Sequence, residues 1–172
     1  QLEEHSKAID DANQAIRLDP EGLQGYLQRG LAYGQLGEHS KAIDDLSETI
    51  RLNPEDPWTY GERAVSYNGL EEHSKAIDDA TEAIRLDPES VLGYGQRGFA
   101  YSQFGDLQEA INDLSEAIRL NPEDPWHYKA RGFAFSQIQE YQEAINDFSE
   151  AISLNPEDPW IYGQRGFAYS QL

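Results

Sequence analysis

A 34-residue period runs the length of this chain and leaves few folds open to it. Pro20, Pro54, Pro88, Pro122 and Pro156 recur at that spacing without an insertion or deletion. Ala8, Ala42, Ala76, Ala110 and Ala144 do the same, as do Ile9, Ile43, Ile77, Ile111 and Ile145. Self-similarity at a fixed period between about 20 and 50 residues marks an array in which each unit is one supersecondary element. With Leu23 as slot one, four full units run 23–56, 57–90, 91–124 and 125–158. Residues 1–22 form the back part of an earlier unit, and 159–172 the front part of a later one.

Each unit reads as two amphipathic helices. Tyr94, Arg97, Gly98, Tyr101 and Phe104 fall at helical spacing, and Ala110, Ile111, Leu114, Ala117, Ile118 and Leu120 repeat the pattern. Asp56-Pro57, Asp124-Pro125 and Asp158-Pro159 place an N-cap side chain before a proline at the first helical position. Gly37 and Gly105 stand where a first helix must end, and Asp106 with Glu109 has capping-box spacing. Small residues mark close helix approach: Gly30, Gly98, Gly132 and Gly166 on first helices, and the alanine columns on second helices. A hairpin of this size cannot bury its apolar face alone, so neighbours must stack. The pattern predicts about eleven short helices and no strand.

The unit Tyr94-x-x-Arg97-Gly98-x-x-Tyr101, followed by Ala110-x-x-x-Leu114-x-x-Ala117-x-x-x-x-Pro122, resembles the tetratricopeptide repeat, and the match extends over the whole chain. The resemblance implies an all-α, right-handed superhelical solenoid of stacked antiparallel helix pairs, whose concave face, lined by first helices, binds a peptide or a partner's helix. Departures are few: Ala64 replaces the small glycine, Thr49 replaces alanine, and Asn68-Gly69 brings a turn dipeptide early. A loose join is expected near residues 68–72. A second-order repeat of 68 residues relates the helix before Asp19-Pro20 to that before Asp87-Pro88, the trace of a duplicated two-repeat block.

The net charge of −19 is unevenly placed. First helices carry Arg29, Arg63, Arg97, Arg131, Arg165 and Lys129 against a single acid, Glu62, so the acidity belongs to second helices and turns. Such a chain is a poor ligand for nucleic acid or anionic membrane, both of which need basic patches; it favours solubility and basic partners. No apolar run is long enough to span a membrane, and the acidic start is unlike a targeting signal. Opening on Gln1 rather than Met, the chain is expected to be a piece of something longer. With no cysteine, disulfides and thiolate metal sites are excluded and the redox compartment stays open.

Candidate chemistry is sparse. There is no cysteine nucleophile, no strand-borne phosphate loop and no twelve-residue calcium loop, so neither an enzyme nor a cofactor is expected. His5, His39 and His73 recur once per unit. Stacked helices lie about 8–10 Å apart, whereas each ligand must come within about 2.1 Å of a metal, so they are expected to be surface residues. His127 beside Trp126 is expected at a groove or its rim. The arginine row has two readings: an anion-binding row, or structural ion pairs with the aspartate column 18 residues upstream. The second is preferred, giving Asp11–Arg29, Asp45–Arg63, Asp79–Arg97, Asp113–Arg131 and Asp147–Arg165 as inter-repeat pairs.

The resemblance places slots two, five, six and nine of the first helix in the groove. They hold Trp58, Trp126 and Trp160; Gly61, Gly95, Gly163 and Lys129; Gln28, Gln96 and Gln164; Phe99, Phe133 and Phe167. Exposed aromatics with adaptable amides are interface-like. The glycines keep room either for a ligand or for an adjacent ring. The carboxylate clamp by which some members hold chaperone tails is not matched, since Leu27, Gly61, Gly95, Leu31, Val65 and Gln96 occupy its positions and only Lys129 is basic. The expected partner is a protein or peptide. The alternative is head-to-tail self-assembly, with Tyr162, Gly166, Tyr169 and Leu172 of one copy meeting Ala8, Ala12 and Ala15 of another.

Overall fold

The computed structural model describes residues 2–172, with side chains from residue 4 onward, and Gln1 lies outside them. Among the described residues there are ten α-helices and no strand: α1 (Leu2–Leu18), α2 (Leu23–Gln35), α3 (His39–Leu52), α4 (Pro57–Gly69), α5 (His73–Leu86), α6 (Val91–Phe104), α7 (Leu107–Leu120), α8 (Pro125–Gln137), α9 (Tyr141–Leu154) and α10 (Pro159–Ser170). One helix per half-unit accounts for all ten, one fewer than the spacing suggested.

Residues 1–96 and 97–172 form two compact units. In unit 1, α2 pairs with α3 and α4 with α5, while α1 packs on α2 and α3 on α4. In unit 2, α8 pairs with α9, and α7 and α10 pack on that hairpin. The alanine columns lie at the centre: Ala42 and Ala76 in unit 1, and Ala110 and Ala144 in unit 2, are fully buried. Leu46 is the largest fully buried side chain of unit 1, and Phe148, Leu114 and Ile161 are the largest of unit 2. Glycine is required where the helices come closest. A Cβ on Gly98 would lie 2.9 Å from Leu114, and one on Gly132 2.9 Å from Phe148.

Caps follow the aspartate-proline pairs. Asp56, Asp124 and Asp158 accept hydrogen bonds from the backbone N–H of Trp58, Trp126 and Trp160, with proline in the first turn. The expected capping box at Asp106 is absent, since its side chain makes no cap hydrogen bond. Its ψ is 61°, against 102–109° at the three capping aspartates, which turns the carboxylate away from the helix N–H groups. First helices end in the left-handed region at Gly37 (φ 73°) and Gly105 (φ 87°), and at the intervening positions Glu71 (φ 60°) and Gln139 (φ 64°) adopt it without glycine's freedom.

The join at residues 68–72 is not loose. Asn68 is buried, its amide donating to the Gln96 carbonyl at 3.1 Å and the Gln96 Oε1 at 3.0 Å. Its Oδ1 lies 3.1 Å from His73 Nδ1. Gly69 is there for space, because a Cβ would stand 2.5 Å from the His39 ring. The dipeptide that reads as a turn is a tie between helices.

Candidate functional site

The arginine row is structural in geometry, but in a different register from the one expected. Arg29 grips Asp45 through Nε and Nη2, both at 2.7 Å. Arg63 holds Asp79 (2.7 and 2.8 Å), Arg97 holds Asp113 (2.7 and 2.9 Å), and Arg131 holds Asp147 (2.8 Å for both). Each partner lies 16 residues downstream, on the same hairpin, rather than 18 upstream. The upstream link is made by the third nitrogen. Nη1 donates to Asn13 Oδ1 from Arg29 (2.6 Å), to Ser47 Oγ from Arg63 (2.9 Å), to Ser115 Oγ from Arg131 (2.9 Å) and to Ser149 Oγ from Arg165 (3.1 Å). Residues 11 and 13 are about 200° apart around a helix, so the face that offers Asn13 to Arg29 turns Asp11 away. Asp11 is exposed and no guanidinium pairs with it among the described residues, and the same holds for Arg165 and any carboxylate.

These bonds decide what the row can do. The hydrogen bond that Arg29 donates to Asp45 raises the Arg29 pKa above its usual value, against the pull of burial. Burial pushes the Asp147 carboxyl up even with Arg131 in bidentate contact, so desolvation outweighs attraction there. With Arg29, Arg63, Arg97 and Arg131 each held by an aspartate, the ladder leaves no row of free cations for an anion.

His127 is not at a rim. It is 4% exposed, its ring meets Trp126 edge-on at 5.3 Å, and burial lowers its pKa against the raising influence of Asp124. Its slot is a buried column that also holds Gly25, Thr59, Gly93 and Ile161. No cluster of metal-ligating side chains forms among the described residues.

Of the groove residues, the structure gathers five in unit 2. Phe99, Trp126, Lys129, Phe133 and Trp160 line one open pocket of about 190 Å³ with Ser102, Gln103 and Ala130. The aromatics interlock: Phe99 meets Trp126 at 6.0 Å and Phe133 meets Trp160 at 5.9 Å, both tilted. Lys129 is held, its Nζ 2.7 Å from Asp158 Oδ2 and 4.6 Å from the Trp160 ring centre. Trp58 lies instead in unit 1, in a groove of about 280 Å³ with Leu31, Val65, Gln35, Ser66 and Glu62. The other expected residues stand apart. Gln96 is occupied by Asn68, Gln28 lines a groove with Ala8, Ala12 and Ala15, Gln164 is half-buried on α10, and Phe167 is 51% exposed against the edge of Tyr141. At Gly61 the spare room holds a neighbour rather than a ligand, since a Cβ would meet the Leu92 side chain at 2.7 Å.

Sequence reasoning passed over Gln35, Gln103 and Glu62. The first two share slot thirteen, so their column was visible in the period. Glu62 was visible as the lone first-helix acid. It is half-buried, no hydrogen bond or ion pair engages its carboxylate among the described residues, and burial alone raises its pKa.

Helix hairpins in tandem, tied by an arginine ladder and opening grooves along their first helices, define a helical repeat scaffold. The tetratricopeptide repeat model matches residues 24–56, and a second model of the same repeat matches 103–139 and 134–172. The chain belongs to the tetratricopeptide repeat family, whose members generally serve as non-catalytic protein–protein interaction scaffolds. No curated protein matches it significantly. Solved structures show the fold, an all-helical repeat of the solenoid class. MamA is 23% identical with a TM-score of 0.77, over 89% of this chain and 90% of that one. A thermophilic tetratricopeptide protein of Thermus thermophilus is 18% identical, TM-score 0.79, over 96% and 91%. YrrB, described as having an unusual peptide-binding site, is 18% identical, TM-score 0.74, over 95% and 84%. No described helix is long and apolar enough to cross a membrane.

Proposed function

We propose that this chain binds a peptide or partner helix through the aromatic pocket on the first helices of unit 2. The observation that carries this reading is the convergence of Phe99, Trp126, Phe133 and Trp160 on one open pocket, with the Gln103 amide and Ser102 hydroxyl at its wall. Aromatic side chains offer large contact area at low entropic cost, and they dominate measured binding energy at interfaces. Lys129 is neutralised by Asp158, so the pocket selects apolar or aromatic anchors and binding depends weakly on salt. The test is selection from a displayed random dodecapeptide library, followed by calorimetry on the selected peptides. Trp126→Ala with Phe133→Ala is expected to abolish measurable binding while circular dichroism stays helical. Undiminished binding by the double variant would refute this site.

A second reading, head-to-tail association of copies of the 172-residue chain, is favoured by α10. Tyr162 and Tyr169 are 44% and 58% exposed, and nothing lies within 4 Å of a Cβ on Gly166. The groove of about 340 Å³ between α1 and α2 contains Asp11, the aspartate with no guanidinium. By the 16-residue rule of the ladder, Arg165 of one copy would meet Asp11 of the next. Light scattering is expected to show concentration-dependent association that Arg165→Asp or Asp11→Arg each abolishes and a mixture of the two variants restores. A monomer at every concentration would refute it.

A further inference from the structure

The groove of unit 1 differs from that of unit 2 in one charge. First-helix cations are engaged: Arg29, Arg63, Arg97 and Arg131 by aspartates, Arg165 by Ser149, and Lys129 by Asp158. The one first-helix anion, Glu62, has no such partner among the described residues. It lines the groove of about 280 Å³ beside Trp58, and the remaining lining is uncharged, with the aliphatic Leu31 and Val65 and the amide of Gln35.

A carboxylate drawn partly out of water with no counter-charge is unfavourable, and burial accordingly holds the Glu62 proton more tightly than usual. Three features of the groove suit one kind of occupant. An ammonium or guanidinium would replace the missing counter-ion at Glu62. The indole of Trp58, the best aromatic partner for a cation, stands in the same groove. The methylene stem of a long basic side chain is apolar and matches Leu31 and Val65. The wider field agrees, since a net charge of −19 draws basic partners towards the chain and repels acidic ones.

We infer that the unit 1 groove receives a single lysine or arginine side chain of a peptide partner, with Glu62 as its counter-charge and Trp58 as its aromatic wall. The inference rests on the reading given above that this chain binds peptides, and adds to it a residue class. It also assigns Glu62 a role in specificity: a neutral or acidic side chain leaves the carboxylate unpaired and is rejected.

The experiment uses the full chain and the same dodecapeptide library. Wild type is expected to enrich peptides with a lysine or arginine at one position. In a selected synthetic peptide, replacing that residue with norleucine should weaken binding about tenfold. Glu62→Gln should lose the enrichment and become indifferent to the replacement, so that the two changes are coupled. Glu62→Lys should enrich aspartate or glutamate at the same position, an outcome that a merely destabilised variant does not give. Peptides selected through the aromatic pocket with no basic position would overturn this inference and leave the proposed function standing. A basic position to which Glu62→Gln is indifferent would likewise overturn it. A chain that selects no peptide would overturn both.

Discussion

Units 1 and 2 use the same helix positions to build opposite grooves. Slot nine holds Leu31 and Val65 in one and Phe99 and Phe133 in the other, and slot two sets Trp58 against Trp126 and Trp160. In unit 2 the aromatic rings interlock and the one cation is neutralised. In unit 1 a single Trp58 stands beside aliphatic Leu31 and Val65, and the one anion lining the groove has no partner among the described residues. The ladder beneath is the same in both, with bidentate distances of 2.7 to 2.9 Å. A repeat therefore separates its duties: buried positions specify hairpin and register, and the few positions open to the groove carry the differences between the units.

The largest expected effect tests whether the ladder is common to both units. Arg131→Leu should cost about 3–5 kcal/mol by stranding the buried Asp147, and Arg63→Leu should cost about the same by stranding Asp79. Adding Asp147→Leu or Asp79→Leu should recover most of each loss in urea denaturation. Unequal costs, or no coupling, would break the equivalence. Within unit 2 the glycine column should split. Gly132→Ala drives a methyl into Phe148 and should destabilise by about 1–3 kcal/mol. Gly166→Ala meets nothing and should stabilise by about 0.5–1 kcal/mol through helix propensity. Smaller again, Glu71→Gly in unit 1 and Gln139→Gly in unit 2 should each stabilise by about 1 kcal/mol, because both residues hold a positive φ. Thermal melts of the two single variants would show whether the units share this strain equally.

The smallest effect separates the units by pH. The Glu62 carboxyl binds its proton more tightly folded than unfolded. Its contribution to stability is present below the unfolded pKa and is lost as pH rises through the raised folded value. The His127 imidazole is the reverse: its contribution is present above the unfolded value and is lost as pH falls through the depressed folded one. Hydrogen exchange, corrected for intrinsic rates, should show α4 losing protection as pH rises and α8 losing it as pH falls. Glu62→Gln should flatten the first trend and His127→Gln the second.

The period, the Asp-Pro caps and the aromatic slots were legible because each depends on spacing along one helix or between identical units. The ladder's register was not, because spacings of 16 and 18 repeat equally well every 34 residues. Only the rotation of Asp11 away from the face that carries Asn13 decides between them. His127 was misplaced because its column holds Gly25, Thr59, Gly93 and Ile161, a set whose only common property is burial. Asn68 read as a turn residue because its amide finds its partners on other helices, in Gln96 and His73.

The arginine that reaches both ways also acts as a gauge of chain length. One guanidinium closes two joints, the carboxylate 16 residues ahead and the hydroxyl or amide 16 residues behind. A residue gained or lost in the turn inside a hairpin displaces the first partner, and one in the turn between hairpins displaces the second. Either leaves a buried charge half satisfied. Copying whole 34-residue blocks preserves both distances, whereas slippage by one preserves neither. A change by complete units is the one change of length that leaves every bond of the ladder in place.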